Sequence, residues 1–366
     1  MKRRTDPLSA AVRRSLRRDL LRWYGREKRD LPWRASRDPY RVWISEAMLQ
    51  QTRVETVIGY YRRFLERFPT VEALARARTD SVLAAWSGLG YYRRARSLHE
   101  AARAVRDRHG GRFPRDREAL IGLPGVGAYS AGAIASIAFD QPEPLVDGNV
   151  ARVFSRLFAL EGAPGSAGLR KRLWEIAATL VPRRGAGEWN QALMELGALV
   201  CVPRVPDCGR CPLASRCRAL AEDRVDEFPS RGKRATPIPV DVVVFAVRRG
   251  DRWLLERRPA GGRMAGLWQL PTVELPASGG VLFPLRPPAS IRIGRPLCEV
   301  RHTITRHRIR ALVKSGTVDS GRPAASLAWV NRQAMTSLPL TGMTRKCVSA
   351  ILAAHPGPAP AAFLRS

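Results

Sequence analysis

A glycine-punctuated segment, residues 122–149, constrains the fold of this chain more than any other stretch. It begins with LPGVG at residues 123–127 and continues into an alanine-rich pattern that predicts a helix ending near Phe139. Glycines permit positive φ, and successive backbone N–H groups can then point in one direction. Because the first N–H groups of a helix lack intrahelical partners, and because the helix dipole is positive there, the turn predicts an anion-binding clamp.

Asp147 ends the loop after this helix and is placed to cap the next one. The apolar side chains of that next helix recur at helical spacing and are Val150, Val153, Phe154, Leu157 and Phe158. A clamp and a carboxyl group therefore lie within a short span of chain. An ordinary helix–helix turn, with Asp147 as a cap only, is the competing interpretation.

The charge balance predicts what the clamp holds. Of 366 residues, 63 are Lys or Arg and 32 are Asp or Glu, a net charge of +31. Such an excess of positive charge indicates a nucleic-acid partner rather than a membrane. The sequence contains no run of about 20 apolar residues, the length that a membrane-spanning helix needs. The basic N-terminus lacks the apolar core of a secretory signal. We expect a cytoplasmic protein whose clamp holds a DNA backbone, with Asp147 facing the attached sugar.

A second carboxyl group, Glu46, lies in a predicted helix that starts at the Asp-Pro pair of residues 38–39. Val42 and Leu49 share its helix face, which is mostly apolar. Burial raises the pKa of a carboxyl group and lets it keep its proton near neutrality, as a general acid must. A Glu at the edge of the stripe, paired with an Arg, is the alternative.

The sequence GLGYYRRAR at residues 88–96 combines turn glycines, tyrosines and arginines. It suits a wedge between stacked bases, flanked by phosphate contacts. A buried aromatic pair beside a turn is the alternative, and we favour it for Tyr91.

Four cysteines with the spacing C-x6-C-x2-C-x5-C indicate a metal site rather than disulfides. They are Cys201, Cys208, Cys211 and Cys217. Zinc sites normally show two close pairs, whereas four thiolates also suit a 4Fe–4S cluster. The spacing favours the cluster and leaves zinc as the alternative. Arginines, among them Arg204, make the loop basic.

Composition and periodicity change at residues 229–239, which we interpret as a linker. Residues 1–228 are predicted to form a helical domain with the metal loop at 201–217. Residues 240–356 are predicted to form an α+β domain, and residues 357–366 a disordered tail. The strands of the α+β domain are expected at residues 240–247, 253–256 and 309–313.

Together these motifs resemble adenine DNA glycosylases of the MutY type, in the helix-hairpin-helix superfamily that includes endonuclease III. The matching segments are LPWR at 31–34, PYRVWISEAMLQQT at 39–52, GLGYYRRARSLH at 88–99, LPGVGAYSAGAI at 123–134, VDGNVARV at 146–153, WNQALMELGALVC at 189–201 and the four cysteines. The resemblance implies an all-α helix-hairpin-helix domain whose cysteines hold one 4Fe–4S cluster, followed by a C-terminal α+β Nudix-like domain.

The resemblance also implies the chemistry. Enzymes of this family flip out adenine mispaired with 8-oxoguanine, or with guanine, and hydrolyse its N-glycosidic bond. Glu46 matches the acid that protonates adenine N7, and Asp147 matches the carboxylate that stabilises or attacks the sugar. Tyr129 and Asn149 match residues that orient these carboxyl groups.

Further matches concern the DNA. The adenine pocket corresponds to Arg34, Leu49 and Gln191, and the residues inserted into the stack near 8-oxoguanine correspond to Gln51 and Tyr92. The DNA backbone is expected to contact five further residues, namely Leu123, Gly125, Val126, Gly127 and Arg204. We expect a monomer bound to duplex DNA that carries the mispair.

Position 129 separates two related activities. Endonuclease III-type enzymes place a lysine there, which forms a Schiff base with the sugar and cleaves the strand. This chain has Tyr129, and no lysine occurs between Lys28 and Lys171. We therefore expect a monofunctional glycosylase. A bifunctional glycosylase with lyase activity and a non-enzymatic DNA-binding iron–sulfur protein are the rival interpretations.

The C-terminal segment lacks the glutamate-rich helix with which Nudix hydrolases bind magnesium, so we do not expect hydrolysis there. Family members carry a Phe-Ser-His loop that touches 8-oxoguanine, where this chain has Ile304-Thr305-Arg306 next to His307. We expect Thr305, Arg306 or His307 to make the contact.

Overall fold

The computed structural model divides the chain into two packed units. The first comprises Met1–Arg76 and Ser97–Lys233, and the second comprises Ala77–Arg96 and Arg234–Ser366. The structure describes residues 8–230, 236–259, 261, 264–275, 282–287, 291–318 and 325–354. The predicted tail at 357–366 lies outside the described residues, as does part of the predicted linker.

Within its described residues, the first unit is built of α-helices joined by turns and loops. They are α1 (Ala10–Glu27), α2 (Pro39–Leu49), α3 (Val54–Arg67), α4 (Val71–Arg76), α6 (Arg93–His109, from Ser97 onward), α7 (Arg117–Ile121), α8 (Ala128–Phe139), α9 (Gly148–Leu157), α10 (Ala167–Leu180), α11 (Ala186–Leu199) and α12 (Arg218–Ala221). Helix α8 ends where the sequence predicted. The stripe of α9 is buried as predicted, with Phe154 fully enclosed.

The second unit begins with a short helical segment, α5 (Thr79–Ala85), and the first turn of α6. The sequence had placed this segment within an uninterrupted helical domain. The rest of the unit is a mixed sheet with two helices, α13 (Arg332–Ser337) and α14 (Gly342–Ala354). Strand β1 starts at Ile238, inside the segment interpreted as a linker.

Within the described part of the second unit the strands are β1 (Ile238–Arg249), β2 (Arg252–Arg257), β3 (Trp268–Gln269), β4 (Thr272–Glu274), β5 (Ile291–Ile304), β6 (His307–Val318) and β7 (Leu327–Asn331). The order is β3-β2-β1-β6-β5, with β4 pairing β1 and β7 pairing β2. Strands β1 and β6 are parallel, whereas β5 and β6 form an antiparallel hairpin. Alternate residues of β1 enter two apolar clusters, one with α14 and one with β2 and β4.

The predicted order, a helical part followed by an α+β part, is confirmed. No helix in the described ranges is long and apolar enough to cross a bilayer.

Candidate active site

The site is assembled on helix α8. Gly132 on α8 allows the loop before α9 to approach this helix, and Gly187 allows α11 to approach it. A Cβ on Gly132 would collide with the carbonyl oxygen of Pro144, so only glycine lets the loop before α9 lie against α8. A Cβ on Gly187 of α11 would come within 2.6 Å of the carbonyl oxygen of Ser136. The loop that ends at Asp147 is therefore packed directly on α8.

Glu46 is buried on α2, with 4% of its surface exposed. The hydroxyl of Tyr129, in the first turn of α8, donates a hydrogen bond to Glu46 Oε2 and lies 3.4 Å from the sulfur of Met194. The partner of Glu46 is thus a neutral phenol, and the alternative of a Glu paired with an Arg at the edge of the stripe does not describe this site.

Burial raises the pKa of Glu46 to about 7. The hydrogen bond from Tyr129 lowers this pKa, the negative charge on Asp147 raises it and the positive charge on Arg34 lowers it. Burial also raises the pKa of Tyr129 well above its usual range, so the phenol keeps its proton. A carboxyl group with a pKa near neutrality can serve as a proton donor at physiological pH.

This burial has a measurable cost in stability. The folded pKa of Glu46 is raised to about 7, so its ionisation destabilises the fold by about 3 kcal/mol at high pH and not at all below its unfolded pKa. We expect Glu46→Gln to raise the melting temperature by several degrees at pH 8 and to change it little near pH 4. Thermal unfolding at both pH values, with the exposed Glu66→Gln as control, measures the difference; equal shifts at both pH values would contradict it.

Asp147 caps α9, as the sequence predicted. Its Oδ1 accepts from Val150 N at 2.7 Å and its Oδ2 accepts from Asn149 Nδ2 at 3.1 Å. Burial raises the pKa of Asp147, while the N–H donors and the charge on Arg152 lower it. Hydrogen bonds from N–H groups favour the ionised form of a carboxyl group. The two carboxyl groups therefore have different surroundings: an O–H donor at Glu46, and N–H donors at Asp147.

Arg152 connects the site to the cysteine loop and was not singled out from the sequence. Its guanidinium donates to Asn149 Oδ1 at 2.8 Å, to the carbonyl oxygen of Gly197 at 2.7 Å and to that of Cys201 at 2.7 Å. Asn149 is thereby oriented with its amide nitrogen toward Asp147. Its neighbour Gly197 must be glycine, since a Cβ there would lie 2.6 Å from Asn149 Cβ.

Glu195 is a second residue that sequence reasoning missed. It is 1% exposed, and its carboxylate accepts from Arg34 at 2.9 and 3.0 Å and from Arg29 at 2.8 Å. These guanidinium groups outweigh the effect of burial and lower the pKa of Glu195 to about 2. A buried bidentate pair fixes a guanidinium firmly, so Glu195 determines where Arg34 presents its charge to Glu46.

The predicted clamp leads directly into the N-terminus of α8. Gly125 has φ +73°, and a Cβ on it would collide with Ser97 of α6. Gly127 precedes α8 and offers no side-chain cap, so the first N–H groups of this 12-residue helix lack a capping partner. Leu123 and Val126 are buried. Their contribution to a backbone contact is therefore limited to main-chain atoms.

The four cysteines of the loop are half-buried and line one cavity, together with Arg156 and Leu220. Burial raises the pKa of the Cys211 thiol to about 12, and a bound metal would favour its thiolate form. Arg156 is buried and donates to Val202 O at 2.8 Å and Phe228 O at 2.9 Å, which holds the loop in place. Four thiols around one cavity fit the donor set of a 4Fe–4S cluster.

No group of three or more His, Cys, Asp or Glu side chains in the described segments is placed to hold a single metal ion.

Comparison with known proteins places the chain in a family. Residues 44–179 match the HhH-GPD superfamily of base excision DNA repair proteins, and residues 243–350 match a NUDIX domain. The adenine DNA glycosylase of Rattus norvegicus is 42% identical over 72% of this chain and 61% of the rat protein. That of Buchnera aphidicola subsp. Baizongia pistaciae is 35% identical over 68% of this chain and 70% of that protein. The chain belongs to the adenine DNA glycosylase family.

This adenine DNA glycosylase family member spans about 61% of the length of its rat relative and 57% of the human one. A solved structure of a thermostable thymine-DNA glycosylase covers 57% of this chain and 97% of that protein, with 32% identity and a TM-score of 0.52. The predicted helix-hairpin-helix fold with a C-terminal Nudix-like domain is thereby confirmed.

The burial of Tyr91 and Tyr92 in this glycosylase family member is the reverse of what the sequence predicted. Tyr92 is buried at 8% exposure, and its hydroxyl donates to the carbonyl oxygen of Leu340. Tyr91, expected to be buried, is 50% exposed. The sequence contained the signal: Tyr92 continues the buried stripe of α6, which includes Ala95 and Leu98. The exposed ring of this pair is therefore that of Tyr91.

The remaining predicted residues differ in exposure. Gln51 is exposed with φ +59°, an unusual conformation for a residue other than glycine. Leu49 and Gln191 are half-buried, and Arg204 is exposed. Gln191 Nε2 donates to the carbonyl oxygen of Gly187 at 3.3 Å.

In the second unit the residues expected at 8-oxoguanine divide into two groups. Thr305 and Arg306 form the exposed two-residue turn between β5 and β6, and Thr305 has φ +52°. His307 is 6% exposed, and its Nδ1 lies 3.3 Å from Ile304 O. The expectation that His307 reaches a base is therefore not supported, because its ring is enclosed at the start of β6.

Proposed function

We propose that this chain is a monofunctional DNA glycosylase that hydrolyses the N-glycosidic bond of adenine mispaired with 8-oxoguanine or guanine. The observation that carries the proposal is the pair of unlike carboxyl groups. The pKa of Glu46 is raised to about 7 by burial and by the negative charge on Asp147, whereas Asp147 accepts hydrogen bonds from N–H donors. Such a pair can keep one proton and one negative charge at the same pH, as glycoside hydrolysis requires.

In the proposed reaction adenine leaves the duplex and stacks in the pocket near Arg34. Glu46 gives its proton to adenine N7 while the bond from the sugar C1′ breaks, and the bonding electron pair stays on the base. Asp147 stabilises the positive charge that develops on the sugar, or adds to C1′ and is later displaced. Water then adds to C1′ and gives up one proton to a carboxylate. The products are free adenine and an abasic site.

The lyase alternative lacks its nucleophile. Tyr129 occupies the position of the amine, and its phenol donates to Glu46. The non-enzymatic alternative leaves Glu46 without a purpose, since DNA binding gains nothing from a buried acid whose ionisation costs stability.

The test is an excision assay on duplexes with adenine opposite 8-oxoguanine, guanine and thymine. We expect release of adenine from the first two, and strand breaks only after hot alkali. Abundant covalent trapping by borohydride, lost on substitution of a single lysine, would show a lyase instead. Binding without release of adenine from any duplex would show a non-enzymatic protein.

We further propose that Cys201, Cys208, Cys211 and Cys217 hold one 4Fe–4S cluster. When bound, the cluster supplies four metal–thiolate bonds that fix the basic loop carrying Arg204. We expect the purified protein to be brown and to contain iron and inorganic sulfide. Metal analysis, with Cys298→Ser as a control that keeps the cluster, checks this; zinc in place of iron would contradict it.

The turn at Thr305 and Arg306 is our proposed contact to the base opposite adenine. Its support is exposure together with the strained φ of Thr305, since strained exposed residues concentrate at ligand sites. Replacement of both residues by alanine should reduce the preference for adenine opposite 8-oxoguanine over adenine opposite guanine. An unchanged preference would exclude the contact.

A further inference from the structure

The turn at residues 88–91 belongs to the second unit and has an unusual backbone. Gly88 has φ +111°, Gly90 has φ +71° and Tyr91 has φ +47°. A residue other than glycine adopts this conformation only when its surroundings stabilise it. The ring of Tyr91 is 50% exposed. The stabilising contacts must come from the residues on either side.

A buried polar network anchors these flanking residues to the C-terminal part of the chain. Arg345 Nη2, on α14, donates to Ser87 Oγ at 2.8 Å. Ser87 Oγ lies 3.2 Å from the hydroxyl of Tyr92, and both hydroxyls lie within 3.4 Å of the carbonyl oxygen of Leu340. Ser87, Tyr92 and Leu340 are all buried. The network therefore holds the turn at both of its ends.

Local contacts carry this restraint into the turn itself. Trp86 Nε1 donates to Gly90 O at 3.1 Å, and Arg94 Nη2 donates to Leu89 O at 3.1 Å. The Arg94 guanidinium carbon lies 5.3 Å from the centre of the Trp86 ring and 5.6 Å from that of Tyr91. The Tyr91 ring therefore packs against the guanidinium of Arg94, and this guanidinium is itself hydrogen-bonded to the turn.

A second connection is weaker. Arg257 Nη2 and Asp80 Oδ1 are 2.7 Å apart, but their side chains are 45% and 31% exposed. Exposed ion pairs contribute little to stability. The restraint on the turn therefore depends mainly on the buried network around Arg345.

We propose that Arg345 is a positioning residue for DNA: it fixes Ser87 and Tyr92, and so presents the Tyr91 ring in its inserting conformation before DNA binds. This rests on the proposed function in taking duplex DNA as the substrate, and it takes the exposed Tyr91 as the ring that enters the base stack. A turn that is already ordered avoids the entropy cost of ordering on binding. The C-terminal part of the chain would thereby act on the distortion of the duplex through α14, in addition to any contact at Thr305.

The first measurement uses the full chain without DNA and is independent of catalysis. Hydrogen–deuterium exchange of the backbone amides of residues 88–92 is compared in the parent and Arg345→Ala proteins. Loss of this half-buried hydrogen bond from a charged donor should speed this exchange about tenfold. Lys346→Ala, which removes the same charge from the adjacent exposed position of α14, should leave it unchanged. Ser87→Ala, a smaller change, should reproduce the effect of Arg345→Ala.

The second measurement follows insertion of Tyr91. In the Glu46→Gln background, fluorescence of a 2-aminopurine placed next to the mispair rises when the stack opens. We expect Arg345→Ala to reduce this rise several-fold, as Tyr91→Ala does, and Arg345→Lys, which keeps a donor, to restore part of it. Unchanged amide exchange, or faster exchange with full fluorescence, overturns the proposal. If the parent protein did not excise adenine, the proposed function would be overturned, and the result of the exchange measurement would be unaffected.

Discussion

Glu46→Gln is expected to slow adenine excision by about 10²–10⁴-fold, the usual contribution of a general acid. Glutamine has nearly the same shape and can still accept the hydrogen bond from Tyr129, but it has no proton to give to adenine N7. Binding to the mispaired duplex should remain, because the clamp at residues 123–127 and the basic surface are unchanged. Single-turnover release of adenine and a separate binding titration measure the two effects.

Glu66→Gln is the matched control, since this residue lies exposed on α3 and the substitution removes the same charge. Its excision rate should equal that of the parent. Parallel loss of binding and excision in Glu46→Gln would mean that the residue supports the fold rather than the reaction. The higher melting temperature expected for Glu46→Gln provides an independent check that this variant is folded.

Asp147→Asn is expected to cost about 10²–10³-fold in excision, the range found when a group that stabilises transition-state charge is removed. Asparagine is as good a helix N-cap as aspartate and can still accept from Val150 N. The substitution therefore removes the negative charge beside the sugar while it preserves the start of α9. Excision under single-turnover conditions, with melting temperature as a control, separates charge from fold.

Asp116→Asn provides the comparison for the capping role. Asp116 caps α7 through the backbone N–H of Ala119 at 2.8 Å, so the same replacement is made at a cap outside the carboxyl pair. We expect an excision rate close to that of the parent. If Asp116→Asn and Asp147→Asn lost activity to the same degree, the charge of Asp147 would have no special function.

Features determined by nearby residues could be predicted from the sequence. Asp147 was identified as a cap because an apolar stripe follows it at helical spacing, and Glu46 stood out because its helix face is otherwise mostly apolar. Both are statements about residues within one or two helical turns. The order of the helical and α+β parts followed from the change of periodicity near residue 230 in the same way.

Features that depend on long-range contacts were missed. Glu195 meets Arg34 and Arg29 from 161 and 166 positions away, and nothing local marks such a pair. Strand β5 was not predicted because Gly294 and Pro296 interrupt it and its pairing with β6 shifts register there. Tyr92 was expected in the base stack because both tyrosines suit a wedge by residue type. Its spacing from Ala95 and Leu98 indicates a buried position, and its contact with Leu340, far along the chain, completes that burial.

The central claim, that Glu46 donates a proton to the leaving adenine, is tested most directly by the pH dependence of single-turnover adenine release. Burial raises the pKa of Glu46 to about 7, so the proton is present below that pH and is lost as pH rises through it. We predict a rate that falls about tenfold per pH unit above about 7. A rate that stays constant or increases up to pH 9 would contradict this account.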